Sequence, residues 1–464
     1  MRQHDTGQAE ATRYHRDAGR PTAKTGVDDA PLTWFHRRLT LYSAGGPLLD
    51  GYVLGIIGLA LTQVVPLWDL SPVWQGLLAA SALLGMFLGG LVFGYVTDLV
   101  GRQAMYTIDL AAIVVGSVAQ FFVDGPVWLL ILRFVVGLAI GADYPIATSL
   151  LAEFTPRRHR GSMLGWLTTM WAAGNTIAYL VGEALLELGP DAWRWMLLSP
   201  AIPAAVLMVA RFGTPESPRW LLSKGRTEEA KAALRKALGP DAELDDLPAE
   251  PGETSLRGLI SKGYLRRTVF VAVFWACSLW PVYAIYAFGP ALLSALNLDD
   301  PRQANLGSAA IGVFFLAGCV IATLVANRLN RRTLLIWPFA VATVALLLLG
   351  LIPTAPTPVI ATLFVLYALA IGGPTILQWI YPNELFPTAI RATAVGLGTT
   401  VSRIGAGVGT FVTPILLGHM GIGATMLLAG LICVLGLIVS VLMAPETRHH
   451  DLHQASSVPT DTGK

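Results

Sequence analysis

Twelve apolar runs, each long enough to cross a bilayer, constrain this chain more than any other feature. They fall at 39–63, 73–97, 104–123, 127–152, 162–186, 194–212, 268–295, 304–326, 333–352, 358–381, 392–417 and 421–443. About 20 helical residues span the roughly 30 Å hydrocarbon layer. Inside that layer no water satisfies backbone N–H and C=O groups, and a helix satisfies its own. The expectation is an all-α membrane protein of twelve transmembrane helices, with the fifth and seventh least clean because of their polar or aromatic residues. Composition agrees. The chain is 54% hydrophobic and only 13% charged, against about 25% charged in a soluble domain.

The connectors predict orientation. Arg37, Arg38, Arg102, Arg157, Arg158, Arg160, Arg331, Arg332, Arg391 and a basic 214–267 segment fall on one side, and only Arg194 and Arg302 on the other. Cytoplasmic loops carry the excess of Lys and Arg, which places both termini and the central loop in the cytoplasm. Residues 1–35 are polar and lack the apolar core of a signal peptide, so they read as a disordered cytoplasmic tail. Residues 214–267 form a linker with an amphipathic helix at about 226–238, suited to the membrane surface, and 445–464 form a second tail. A net charge of +2 argues against a nucleic-acid partner. Cys277, Cys319 and Cys433 lie in apolar runs with no metal-ligand spacing, and read as packing residues. No metal, cofactor or enzymatic constellation is expected.

An internal repeat divides the chain. AEFTPRRHRGSMLG after the fourth run matches NELFPTAIRATAVG after the tenth: Glu153/Glu384, Pro156/Pro387, Arg160/Arg391 and Gly165/Gly396 each lie 231 positions apart. PES at 215–217 and PET at 445–447 lie 230 apart. Two six-helix pseudo-symmetric halves, 36–213 and 268–444, follow. Transporters built from such repeats place the solute between halves, near the bilayer midplane.

These residues resemble the major facilitator superfamily over about 35–447. GYVTDLVGR (94–102) is similar to its loop signature, with Gly94, Asp98, Gly101 and Arg102 in place, while Leu99 and Gln103 stand where basic residues are more usual. RFVVGLAIGADYP resembles helix 4 of the sugar, phosphate and organic-acid symporters. PESPRWL, NELFPTAIR and PET resemble sugar porters. The resemblance implies the major facilitator fold and alternating access. It also implies a cytoplasmic gate of Gly94, Asp98, Gly101, Arg102, Glu153, Arg160, Glu216, Glu384 and Arg391, braced by Asp98 at a helix N-terminus, where an anion is favoured. The second copy of the signature, NRLNRR (327–332), lacks the acid and glycine, so only the first is expected to work as the family's does. Solvated loop charges obeying topology are the plainer alternative.

Ionised groups at membrane depth are costly and mark pathways or partners. Arg133 and Asp143 occupy the fourth run and stand about 15 Å apart along a helix, too far to pair with each other. Asp50 in the first run and Arg403 in the eleventh share a depth of about 17 Å, with Asp143 at about 14 Å. A carboxylate shielded from water gains proton affinity and a neighbouring Arg lowers it, so a moving Arg links binding to protonation. In sugar porters a helix 1 Asp carries the proton and an Arg matching Arg133 modulates it. Phosphate symporters keep an Asp matching Asp143. Here Val53 replaces the second acid of the DGxD often seen on helix 1. Asp50 is therefore the expected proton carrier, Asp143 the second, with Arg133 beside them. A static ion pair holding helices together is the competing reading.

The substrate signal is divided. Sugar porters read roughly QQxSGxNAIYYYAP on helix 7. Here CSLWPVYAIYAFGP puts Cys277, Ser278 and Tyr283 where two Gln and an Asn are expected, and Thr168 replaces a helix 5 Gln. SRIGA around Arg403 resembles aromatic-acid symporters, and a guanidinium holds a carboxylate well. The expected substrate site is Arg403, Trp379, Gln378, Tyr283, Tyr286, Asn175 and Trp171. The leading expectation is proton-driven uptake of a small organic acid by a monomer in the bacterial inner membrane, with a sugar or polyol as the alternative. Export is disfavoured because AAGNTIAYLVGEAL lacks the GPxxGG-like run of drug antiporters, and a sensor because no soluble domain is appended.

Overall fold

The computed structural model describes residues 34–154, 157–211, 216–238, 244, 259, 263–296, 300–326 and 328–447; within these ranges the side chains at 98, 144–154, 157–162 and a few other positions fall outside the description. The N-terminal half contains α1 (Trp34–Leu67), α2 (Pro72–Val100), α3 (Arg102–Phe121), α4 (Pro126–Phe154) and α5 (Arg157–Leu185). Its sixth span is broken into α6 (Ala192–Leu198) and α7 (Ala201–Arg211), at a step carrying Pro200, which has no N–H to continue the ladder. Two short helices follow, α8 (Pro218–Ser223) and α9 (Thr227–Leu238). The C-terminal half contains α10 (Leu265–Ser294), α11 (Pro301–Val325), α12 (Arg331–Leu351), α13 (Thr357–Leu385) and α14 (Thr388–Met443).

Ten stretches among the described residues are long and apolar enough to cross a membrane. Two features bring that number to twelve spans. The 56-residue α14 folds back at Gly421, whose φ of 77° is open to glycine and strained for other residues, so it supplies two. α5 is the most polar of the long helices and is shielded by its neighbours, packing on α1 within its own half and on α11 and α13 of the other. The chain is therefore a twelve-helix membrane protein in two halves, which meet along α5–α11, α2–α14 and α1–α10. α9 covers the expected amphipathic segment, and its Ala230 and Ala233 pack with Leu221 of α8 in a small separate core.

In lipid, helix association relies on close packing rather than on hydrophobic exclusion, so small residues gather at contacts. A Cβ added at Gly85 or Gly89 of α2 would lie 2.2 Å from a carbonyl oxygen of α4, and one at Gly137 of α4 2.1 Å from Ala82 O of α2. The second half repeats this: Gly318 of α11 sits against Leu369 O of α13, at 2.2 Å from such a Cβ.

The basic ends of the halves repeat in atomic detail. Glu216 accepts from the backbone N–H groups of Arg102 and Gln103, both at 3.0 Å, at the first turn of α3. Glu446 does the same for Arg331 and Arg332 at the first turn of α12, at 3.0 and 3.1 Å. Each carboxylate thus satisfies two N–H groups that the helix leaves open and meets the positive end of its dipole.

Candidate functional site

Asp50 lies on the inner face of α1, fully buried, and its Oδ2 stands 3.5 Å from Nη2 of Arg403 on α14. The two residues expected at one depth are in contact, and the pair joins the two halves. Arg403 also donates to the Tyr283 hydroxyl of α10, and its guanidinium carbon lies 5.6 Å from that ring's centroid. Arg403 and Tyr283 line a cavity between the halves with Thr168 and Trp171 of α5 and Gln378 and Trp379 of α13. Its volume is about 30 Å³, room for a water or two rather than a metabolite, so admitting a solute requires the halves to move apart. At the end away from the basic loops α5 and α10 are tied by a hydrogen bond from the Tyr179 hydroxyl to Tyr286 O, and α1 approaches the same carbonyl at Gly58.

Five of the seven expected substrate residues line the cavity: Arg403, Trp379, Gln378, Tyr283 and Trp171. Gln378 donates to Ser278 Oγ at 2.7 Å, and Trp379 packs edge-on against Trp275. Trp171 packs against Tyr283, Tyr286 and Phe315, with ring centroids 5.2, 5.8 and 6.1 Å away. Tyr286 thus supports the wall from behind. Asn175 is buried against Gly55 of α1, at the α1–α5 contact rather than on the cavity wall. Pro47, Leu167, Trp275, Leu279, Thr375, Thr399 and Ser402 complete the lining; sequence reasoning did not single them out, because period alone does not say which face of a buried helix meets the cavity.

The other two intramembrane charges are not beside Asp50. Arg133 is 1% exposed and its Nε donates to Leu78 O of α2 at 3.2 Å; among the described residues it forms no ion pair. Asp143 pairs with Arg211 at the end of α7, Oδ1 to Nη1 at 2.7 Å, both side chains buried. Its other oxygen rests over Gly46, 1.4 Å from where a Cβ would stand, one helical turn along α1 from Asp50. Arg211 also donates to Tyr42 O of α1 at 3.0 and 2.8 Å and stacks on Tyr106 of α3 at 4.0 Å. Sequence reasoning missed Arg211, which reads as one more basic residue at the end of a span, and Asp109, whose place in the apolar run MYTIDLAAIVVG was a visible signal.

Of the expected gate, Gly94, Asp98, Glu153 and Arg160 lie outside the residues whose side chains are described. Gly101 has φ 104°, and a Cβ there would stand 2.7 Å from Glu216 Oε2, so backbone and packing both require glycine. Arg102 Nη1 donates to Ser217 Oγ at 3.0 Å. Glu384 binds Arg331 at 3.0 Å and accepts from Thr447, while Arg391 Nε donates to Phe386 O at 3.1 Å. The second loop copy, despite losing its acid and glycine, thus builds its own network of Arg331, Glu384 and Glu446.

Two six-helix halves around a small central cavity, with a buried ion pair spanning them, define a membrane transporter. The chain matches the family described as "Sugar (and other) transporter" over residues 32–458. It is 46% identical to YaaU of Escherichia coli strain K12 over 93% of this chain and 97% of that protein. It is 38% identical to the inner membrane metabolite transport protein YgcS of the same strain, over 94% and 97%. Its fold is similar to that of the E. coli proton:xylose symporter XylE bound to 6-bromo-6-deoxy-D-glucose, with a TM-score of 0.72 at 22% identity over 91% of this chain and 98% of that one. The chain belongs to the sugar porter family of the major facilitator superfamily and is a transporter, not an enzyme.

Proposed function

We propose that the protein is a proton-coupled symporter that takes up a small organic acid by alternating access, with Asp50 as the proton carrier. The carrying observation is the Asp50–Arg403 pair, 3.5 Å apart and bridging the halves at the wall of the central cavity. A solute carboxylate that takes Arg403 competes with Asp50 for the guanidinium. Asp50, losing its counter-charge in a buried site, then takes up a proton. Binding and protonation become linked, and with the pair dissolved the halves are free to rock around the site. Energy comes from the proton gradient, without a cofactor. The excess of basic connectors on one side supports cytoplasmic termini, and the kinship with YgcS supports the bacterial inner membrane. On that reading the basic end is the cytoplasmic one. One monomer contains both halves and the whole cavity.

A second reading, a sugar or polyol, is favoured by the rest of the lining: Thr168, Thr375, Gln378, Thr399 and Ser402 are neutral hydrogen-bonding groups beside Trp379. Purified protein in liposomes with an inward proton gradient separates the two. Accumulation of a labelled organic acid, abolished by uncoupler and by Arg403→Ala, supports the first. Accumulation of a neutral sugar that survives Arg403→Ala replaces it with the second.

A further inference from the structure

The central cavity sorts its hydrogen-bonding groups by half. On the α13 and α14 side, three lining hydroxyls have committed their protons to their own helices. Thr375 Oγ1 donates to Ile371 O at 2.7 Å, Thr399 Oγ1 to Val395 O at 2.9 Å, and Ser402 Oγ to Thr399 O at 2.6 Å. Each is left with lone pairs alone to offer a solute. Gln378 belongs with them. Its Nε2 donates to Ser278 Oγ at 2.7 Å, and Ser278 in turn donates to Trp275 O at 3.0 Å, so the amide keeps its Oε1 as an acceptor. Four neutral acceptors thus accompany Arg403, which alone among the described lining residues is cationic.

The α5 side holds donors. Thr168 and Trp171 line the cavity and are each 5% exposed. Thr168 Oγ1 and Trp171 Nε1 are buried, and neither has a hydrogen-bond partner among the described residues. Thr168 differs here from Thr169 and Thr176 of the same helix, whose hydroxyls donate to Gly165 O at 3.2 Å and Ala172 O at 2.9 Å. Thr168 and Trp171 stand three residues apart, and so on one face of α5. A buried donor left unmet loses more than a typical hydrogen bond gains, so this pair is suited to acceptor oxygens that a solute brings.

These groups describe a solute by what it must offer: one carboxylate, several O–H donors, and oxygens that also accept. A hydroxyl does both, giving its proton to an oxygen of α13 or α14 and receiving one from α5. Thr399 precedes Arg403 by one turn, about 6 Å along α14, within reach of a short hydroxylated chain whose carboxylate sits on the guanidinium. An acid without hydroxyls leaves the acceptors and donors unmet, and a site built to bond hydroxyls rejects such an analogue strongly. A neutral sugar meets them but brings nothing that takes Arg403 from Asp50. We propose that the solute is a polyhydroxylated monocarboxylate, a sugar acid of the aldonate or uronate class. Its carboxylate lies on Arg403 and its hydroxyls lie between the acceptors of α13 and α14 and the donors of α5. The proposal deepens the transport reading, on which it rests for Arg403 as the anion-binding group.

Uptake by proteoliposomes under an inward proton gradient, measured above protein-free liposomes, tests it. Labelled gluconate, galactonate, glucuronate and galacturonate are set against glucose and two hydroxyl-free acids, hexanoate and benzoate. At least one sugar acid should accumulate, with neither hydroxyl-free acid competing. Thr168→Val, Thr399→Val and Ser402→Ala should each raise its KM about fivefold while the maximal rate is kept. Accumulation of hexanoate or benzoate, with no competition from the sugar acids, would overturn this proposal and leave acid symport standing. Accumulation of glucose that survives Arg403→Ala would defeat the transport reading itself, and this proposal with it. Should the variants fail to fold, the wild-type panel decides alone: no sugar acid accumulated and none competing would overturn the proposal.

Discussion

The two buried guanidinium–carboxylate pairs share their chemistry and differ in the bodies they join. Asp143–Arg211 ties α4 to α7 inside one half, with Arg211 also holding the Tyr42 carbonyl of α1. Asp50–Arg403 ties α1 to α14 across the seam between halves. The contact is shorter in the first, 2.7 Å against 3.5 Å, and the second alone borders the central cavity. A pair inside a rigid body stays made through a transport cycle. A pair across a moving seam, with a cavity at its side, can be broken by whatever enters. Burial alone does not distinguish the two pairs; the seam does.

The largest expected effect concerns stability. Arg211→Ala strands Asp143 and Asp109 in a protein core, and removing one partner of a buried pair costs about 3–5 kcal/mol. A large drop in thermal unfolding temperature in detergent should follow. Arg403→Ala should lower that temperature much less while abolishing uptake, since Asp50 can neutralise by taking a proton. Equal destabilisation by the two variants would break the comparison.

Next comes the scaffold at the basic end. Gly101→Ala places a side chain at φ 104° and against Glu216, and such strain costs about 1–3 kcal/mol. Removing the caps should cost less: Glu216→Gln and Glu446→Gln should each lose about 1 kcal/mol, in nearly equal amounts because each carboxylate caps the first two N–H groups of a helix in the same way. Thermal unfolding reads all three, and a cap that mattered in only one half would show that the repeat is not energetic. The smallest effect is expected for Tyr283→Phe, which removes the hydroxyl that Arg403 donates to. About 1 kcal/mol of net hydrogen bonding is at stake, read as a change of about fivefold in substrate affinity.

What the sequence shows of this molecule follows from which constraints are one-dimensional. Bilayer thickness acts along the chain, so the twelve runs and the turn near Gly421 were legible. Depth is also one-dimensional, and counting it set Asp50 and Arg403 at a common level. Azimuth is not. It decides that Arg133 meets the Leu78 carbonyl rather than Asp50, that Asp143 turns to Arg211, and that Asn175 faces α1 instead of the cavity. Offsets of 230 and 231 in sequence foretold repetition, but not that Glu216 and Glu446 would act as matching caps, because each cap meets a helix more than a hundred residues away.

The most direct test of the account is Asp50→Asn in proteoliposomes, measured both as uptake driven by an inward proton gradient and as counterflow without one. Loss of accumulation with counterflow preserved is the predicted result, since solute binding and rocking of the halves survive while proton linkage does not. Accumulation at the wild-type level would contradict it and remove Asp50 from the coupling mechanism.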